Sequence, residues 1–142
     1  MYPFKKYLLL LLFLFVGCNG EQPTETNQEL FGLYKSSTFI EPGSSDGGVD
    51  IQSSGGYLNI TLNDNYEFTA ELYIPVSINS NYAEGLWNYE GKYSLKADTL
   101  EFTAQYFIAK YLRWNKQSKH LESFEVPPRG RPFKIILDKY LK

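Results

Sequence analysis

One cysteine and one histidine stand in 142 residues, and each scarcity removes a class of explanation. With Cys18 as the sole cysteine no disulfide can close within the chain, so stability has to come from a packed core. With His120 alone, histidine-based metal sites and histidine-activated nucleophiles are not expected. No Gly-x-Ser-x-Gly, His-Glu-x-x-His or P-loop pattern replaces them. The sequence therefore offers no catalytic constellation, no metal ligand set and no cofactor fingerprint. Asp46 and Asp50 flank Gly47 and Gly48 without the EF-hand spacing, and turn formation accounts for them. Apolar runs are short as well: residues 7–16 carry no charge or polar amide, half of the about 20 residues a bilayer span needs. Basic residues are scarce early in the chain. Residues 18–91 hold Lys35 against 11 acidic residues, whereas residues 92–142 hold 11 basic against five acidic.

The amino-terminal order is basic, apolar, small. Lys5 and Lys6 precede the run at 7–16, and Phe15-Val16-Gly17-Cys18 resembles the lipobox of bacterial lipoproteins. The resemblance implies that residues 1–17 are a signal peptide, removed on export. It implies too that the Cys18 thiol takes a diacylglycerol and the new amine a further acyl chain. Such a protein is anchored to a membrane without crossing it, in the cell envelope, on the periplasmic or surface side of the outer membrane. Residues 18–29 contain no apolar side chain after the cysteine and read as an acidic, polar tether.

Residues 30–142 suit one domain, and 17% aromatic content, with 12 Tyr and 10 Phe, is ample for a core. Without the leader the chain carries 12 basic and 16 acidic residues, a balance of −4 that argues against nucleic acid as a partner. The uneven halves are expected to lie on neighbouring strands whose exposed charges pair across the sheet; the alternative is a basic face toward lipid headgroups.

Period-two alternation dominates from Leu30 onward, the mark of strands with one buried face. Residues 31–40 form the first strand. Leu58, Ile60 and Leu62 alternate with polar residues, then Tyr66, Phe68, Ala70, Leu72 and Ile74 do the same. A three-residue loop pairing Leu62 with Tyr66 keeps both apolar faces together and places Asn65 in the left-handed region. Trp87, Tyr89, Tyr93 and Leu95 share a face, with Gly91 at a bulge or close approach; a turn at 96–99 then pairs Leu95 with Leu100, followed by Phe102 and Ala104. Residues 104–114 read as a strand, although Ala104, Phe107, Ile108, Tyr111 and Leu112 also fit one helix face. Residues 121–126 and 133–140 complete eight strands. The first, third and seventh connections are long and the second, fourth and sixth are tight, which describes a cup: an all-β, antiparallel up-and-down barrel.

Gly32-Leu33-Tyr34 on the first strand, the long first loop and the run Gly91-x-Tyr93-x-Leu95 resemble the lipocalin-like (calycin-like) small bacterial lipoproteins. That resemblance implies binding of a small hydrophobic ligand, with Tyr66, Phe68, Leu72, Trp87, Tyr89, Tyr93 and Phe102 as the candidate lining. An eight-stranded barrel can instead be filled by its own side chains, and these are large. The alternative is a non-catalytic envelope module that interacts with another envelope protein.

Overall fold

The computed structural model describes residues 28–42, 48–76, 84–124 and 133–141. The leader, Cys18, most of the tether and Asp46 lie outside the described residues. Nine strands are present among the described residues: β1 (Gly32–Glu41), β2 (Val49–Asp50), β3 (Tyr57–Leu62), β4 (Glu67–Ile74), β5 (Gly85–Lys96), β6 (Thr99–Phe102), β7 (Tyr111–Asn115), β8 (His120–Glu122) and β9 (Lys134–Lys139). Each pairs antiparallel with its neighbour, and β9 pairs back onto β1. The two-residue β2 only extends the end of β1, so eight strands form a closed up-and-down barrel. No helix occurs among the described residues.

The alternation works as read. In β3, Leu58, Ile60 and Leu62 are buried, and in β4, Phe68, Ala70, Leu72 and Ile74. β1 needs one adjustment: a bulge between Ser36 and Thr38 shifts its register against β9, so that Tyr34 and Phe39, five residues apart, both reach the core. Ser36 also extends the ladder where β1 parts from β3. Its Oγ accepts the Leu58 N–H at 3.0 Å and donates to Gln52 Oε1 at 2.6 Å.

Three sequence expectations require correction. The β3–β4 loop has three residues, but it is 64–66 rather than 63–65. Asn63 N–H donates to the Glu67 carbonyl, Leu62 lies opposite Phe68 rather than Tyr66, and Tyr66 takes the left-handed conformation at φ 62°. Both registers keep the apolar faces together. The choice is made by Asn65, whose Oδ1 accepts the Glu67 N–H at 3.1 Å, and by Tyr66, whose ring packs 5.7 Å from that of Tyr93. Second, of the segment 104–114 only the residues from Tyr111 on are strand, in β7; residues 103–110 form a loop with Tyr106 at φ 59°. Third, the ion pairs found between described side chains, Lys96–Glu101 and Arg113–Asp98, join residues of the basic half, and so does the His120–Glu122 contact. The halves do meet, with Glu67 opposite Lys92 and Lys35 opposite Asp138, yet Lys35 Nζ lies over the Tyr140 ring, 4.0 Å from its centroid.

The expected hairpin holds: Leu95 faces Leu100 and pairing runs on to Lys96 and Thr99, leaving Ala97 and Asp98 as the turn. Strand direction then places the connections at 63–66, 97–98 and 116–119 at one end. The strand ends at Glu41 and Tyr57, Ile74 and Gly85, Phe102 and Tyr111, and Glu122 and Lys134 lie at the other. The tight end is sealed from within. Tyr34, fully buried, donates its hydroxyl to the Leu30 carbonyl at 2.6 Å and meets Trp114 edge to face at 5.9 Å. Lys139 Nζ donates to the Glu29 carbonyl on the same end.

Near the other end, Gly56 allows β3 to begin against the loop before it. A Cβ there would stand 2.4 Å from Ile51 Cγ2, 2.8 Å from the Tyr73 carbonyl oxygen and 2.9 Å from Pro75 Cδ. One of these is backbone and Ile51 is fully buried, so little can yield. Gly56→Ala is expected to cost about 2–3 kcal/mol, read as a lower urea midpoint at unchanged slope. An unchanged midpoint would mean that this corner is loosely packed.

Candidate functional site at the barrel mouth

β5 is the strand that makes the site. Its twelve residues pair with β4 over Gly85–Lys92, but with β6 only over Tyr93–Lys96. The seam with β6 closes one residue further on: Thr103 N–H donates to the Lys92 carbonyl, and Thr103 Oγ1 accepts the Lys92 N–H. Beyond that point the chain turns away from β5. Gly91 makes the parting possible, since a Cβ there would come within 3.1 Å of Phe68 Cε1 and 3.4 Å of the Ala104 nitrogen. This is the close approach that the sequence suggested.

The loop 103–110 then folds back under the open half of β5. Phe107 is the hinge pin: its N–H reaches the Ala104 carbonyl at 3.5 Å, and its ring packs 5.3 Å from Phe68, 5.4 Å from Phe102 and 5.1 Å from Tyr89. Between this loop and β5 lies a cleft of about 630 Å³ lined by Leu72, Ile74, Trp87, Tyr89 and Gln105 to Ile108. None of the eight residues carries a charge. Trp87 is 43% exposed and Tyr106 85%, so two aromatic rings stand in water at the rim, with Val76 and Leu86 also exposed at this end. Burial pushes the Tyr89 phenol above its ordinary pKa, so at neutral pH it presents a neutral hydroxyl.

The seven candidate lining residues divide between two places. Leu72, Trp87 and Tyr89 line the cleft. Phe68, Tyr93 and Phe102 are buried and, with Tyr66 partly buried beside them, pack ring against ring: 4.8 Å for Phe68–Phe102 and 6.2 Å for Tyr93–Phe102. Tyr93 sits toward the tight end rather than under the long loops, its hydroxyl donating to the Asn63 carbonyl at 2.7 Å. Sequence reasoning missed Ile74 as lining, and Gln105, Tyr106, Phe107 and Ile108. The available signal was the apolar triplet 106–108, which breaks alternation within a segment that lacks Gly or Pro.

A second concavity, about 650 Å³, lies on the outer face of β1, β3, β4 and β5, where Asn59, Thr61, Thr69, Glu71, Asn88 and Glu90 face solvent. It is the polar side of amphipathic strands, whereas the mouth cleft leaves apolar surface uncovered. Asp50, weighed from sequence, accepts the Ser53 N–H on its Oδ1 at 2.9 Å, and Glu67 accepts from Asn65 Nδ2 at 2.8 Å; both hold turns. His120 Nε2 stands 3.4 Å from Glu122. Among the described residues no three His, Cys, Asp or Glu side chains group as a metal site. Comparison with protein-family models, with curated proteins and with solved structures found no match for the chain.

Proposed function

We propose that the protein is a membrane-anchored bacterial envelope lipoprotein whose lipocalin-like barrel binds an apolar group in the cleft at its mouth. The observation that carries this reading is the uncharged cleft between β5 and the loop 103–110, with Trp87 and Tyr106 exposed at its rim. Apolar surface left open beside a packed core is a binding feature more often than a structural one. The anchor rests on the order of the leader and on Cys18.

The test is optical. A neutral apolar probe, N-phenylnaphthylamine, should change Trp87 fluorescence on entering the cleft. Trp87→Phe should remove most of that signal, and Trp114→Phe, buried at the tight end, should not. Burying an aromatic-sized group stabilises by about 2–3 kcal/mol, so the affinity should be micromolar at best once ordering costs are subtracted. Emission and melting temperature both unchanged across the titration would overturn ligand binding. The second reading would then stand, an interaction module with a filled barrel, which the stacked rings of Phe68, Phe102 and Phe107 favour. For the anchor, Cys18→Ser should leave the protein soluble or unprocessed on membrane fractionation. The intact mass of the wild type should show a chain beginning at Cys18 with about two or three acyl chains.

A further inference from the structure

Beside the cleft, β5 has a backbone edge that β6 does not cover. Tyr93 N–H donates to the Tyr66 carbonyl across the β4 seam, so by the alternation of an antiparallel ladder the odd residues of β5 turn their polar groups toward β4. Lys92 bonds Thr103 on the opposite seam, so the even residues face away from β4. Leu86, Asn88 and Glu90 therefore present N–H and C=O groups along the edge that β6 leaves, spaced about 6.8 Å apart. No hydrogen bond from these backbone groups to another element is found among the described residues. Their side chains point outward, and those of Trp87 and Tyr89 point into the cleft.

From this we infer that the mouth takes an extended peptide, which adds as an antiparallel strand to β5 over Leu86–Glu90 and sends alternate apolar side chains into the cleft. Main-chain hydrogen bonds would supply register and the cleft would supply side-chain choice. Charge defines the rest of the partner. Glu90 and Glu84 are exposed on or beside this edge, and Glu71 lies across from Asn88 one strand in. Residues of the incoming strand that stand opposite Asn88 and Glu90 share that acidic outer face, so they are basic. A second copy of this chain fits poorly, because pairing edge to edge would set acidic face beside acidic face. The inference rests on the mouth-cleft reading and names what delivers the apolar group.

The test uses the purified full chain and a labelled peptide of alternating Lys and Leu, seven residues long, with N-phenylnaphthylamine as an independent probe of the cleft. In the proposed pairing the Lys residues lie opposite the even residues of β5 and turn their N–H groups toward it, while the Leu N–H groups turn away. N-methylation of the Lys nitrogens should weaken binding by about tenfold or more, and N-methylation of the Leu nitrogens by no more than about twofold. The peptide should displace the neutral probe. Glu90→Lys should weaken the peptide by about fivefold and leave the probe untouched. If the two methylated peptides bind alike, or the probe binds and the peptide does not, strand addition is overturned while the cleft reading stands. If Glu90→Lys leaves peptide affinity unchanged, the basic outer face is overturned. If neither probe nor peptide binds, the cleft reading fails and takes the inference with it.

Discussion

Phe102→Ala is expected to lower the free energy of unfolding by about 3–5 kcal/mol, the range for removing a buried aromatic ring where the surroundings collapse only in part. Phe102 is fully buried, and its ring lies 4.8 Å from Phe68, 5.4 Å from Phe107 and 6.2 Å from Tyr93. These partners come from β4, β5 and the loop 103–110, so a collapse at one of them would strain the others. A domain of this size has a margin of about 5–15 kcal/mol, and the variant should sit near the lower limit of stable folding. Urea unfolding at constant slope measures the loss. The vacated space is apolar and should stay dry, so benzene should raise the melting temperature of the variant and not that of the wild type. A loss below about 1 kcal/mol would mean that the rings do not close the interior. Trp87→Ala, whose side chain is 43% exposed at the rim, should cost far less.

That contrast between filled interior and open mouth marks how far the sequence could be read. Alternation tells which face of a strand is buried, and for β3, β4 and the hairpin of β5 and β6 it placed the inward residues correctly. It does not tell how high along the barrel a residue stands. Trp87 and Tyr93 share one face of β5, yet one lies at the rim and the other near the tight end, because only pairing partners fix height. The same blindness explains the β3–β4 loop. Moving the register by two residues leaves the apolar faces unchanged, and the decision fell to an Asn65 side chain and to an aromatic residue, Tyr66, in a conformation such residues seldom adopt.

The loop 103–110 was harder still. It carries no Gly or Pro, and its reversal depends on Tyr106 at φ 59° and on Phe107 finding the Phe68–Phe102 pair, a contact that exists only once the barrel has closed. The cleft was illegible for that reason: half of its wall is a loop whose shape is set by tertiary packing. The edge of β5 that β6 leaves was equally hidden, since a twelve-residue strand followed by a four-residue one says nothing about where the shorter stops covering the longer.

The sealed end of the barrel sets the behaviour in alkali. Tyr34 and Tyr93 are both buried, each donates its hydroxyl to a backbone carbonyl, and burial raises both phenols far above the ordinary value near 10. In each case a neighbouring ionisable group adds to the rise, Tyr93 for Tyr34 and Tyr66 for Tyr93, but desolvation leads. The folded protein thus holds two protons that the unfolded chain releases above about pH 10. The sign follows directly: the unfolded state binds fewer protons there, so stability is fully present below pH 10 and falls as pH rises beyond it. Each phenol contributes a slope of up to about 1.4 kcal/mol per pH unit above pH 10. The melting temperature should therefore be flat in the phenol contribution up to pH 9 and drop steeply above pH 10, with the last tyrosinate absorbance appearing together with unfolding. Tyr34→Phe isolates the effect from the titration of surface lysines. It should cost about 1 kcal/mol at neutral pH through the lost hydrogen bond to Leu30. It should also halve the phenol part of the alkaline slope, so that the stability curves of variant and wild type converge above pH 10. Parallel curves across that range would mean that Tyr34 ionises in the folded state, and that the tight end of the barrel admits water.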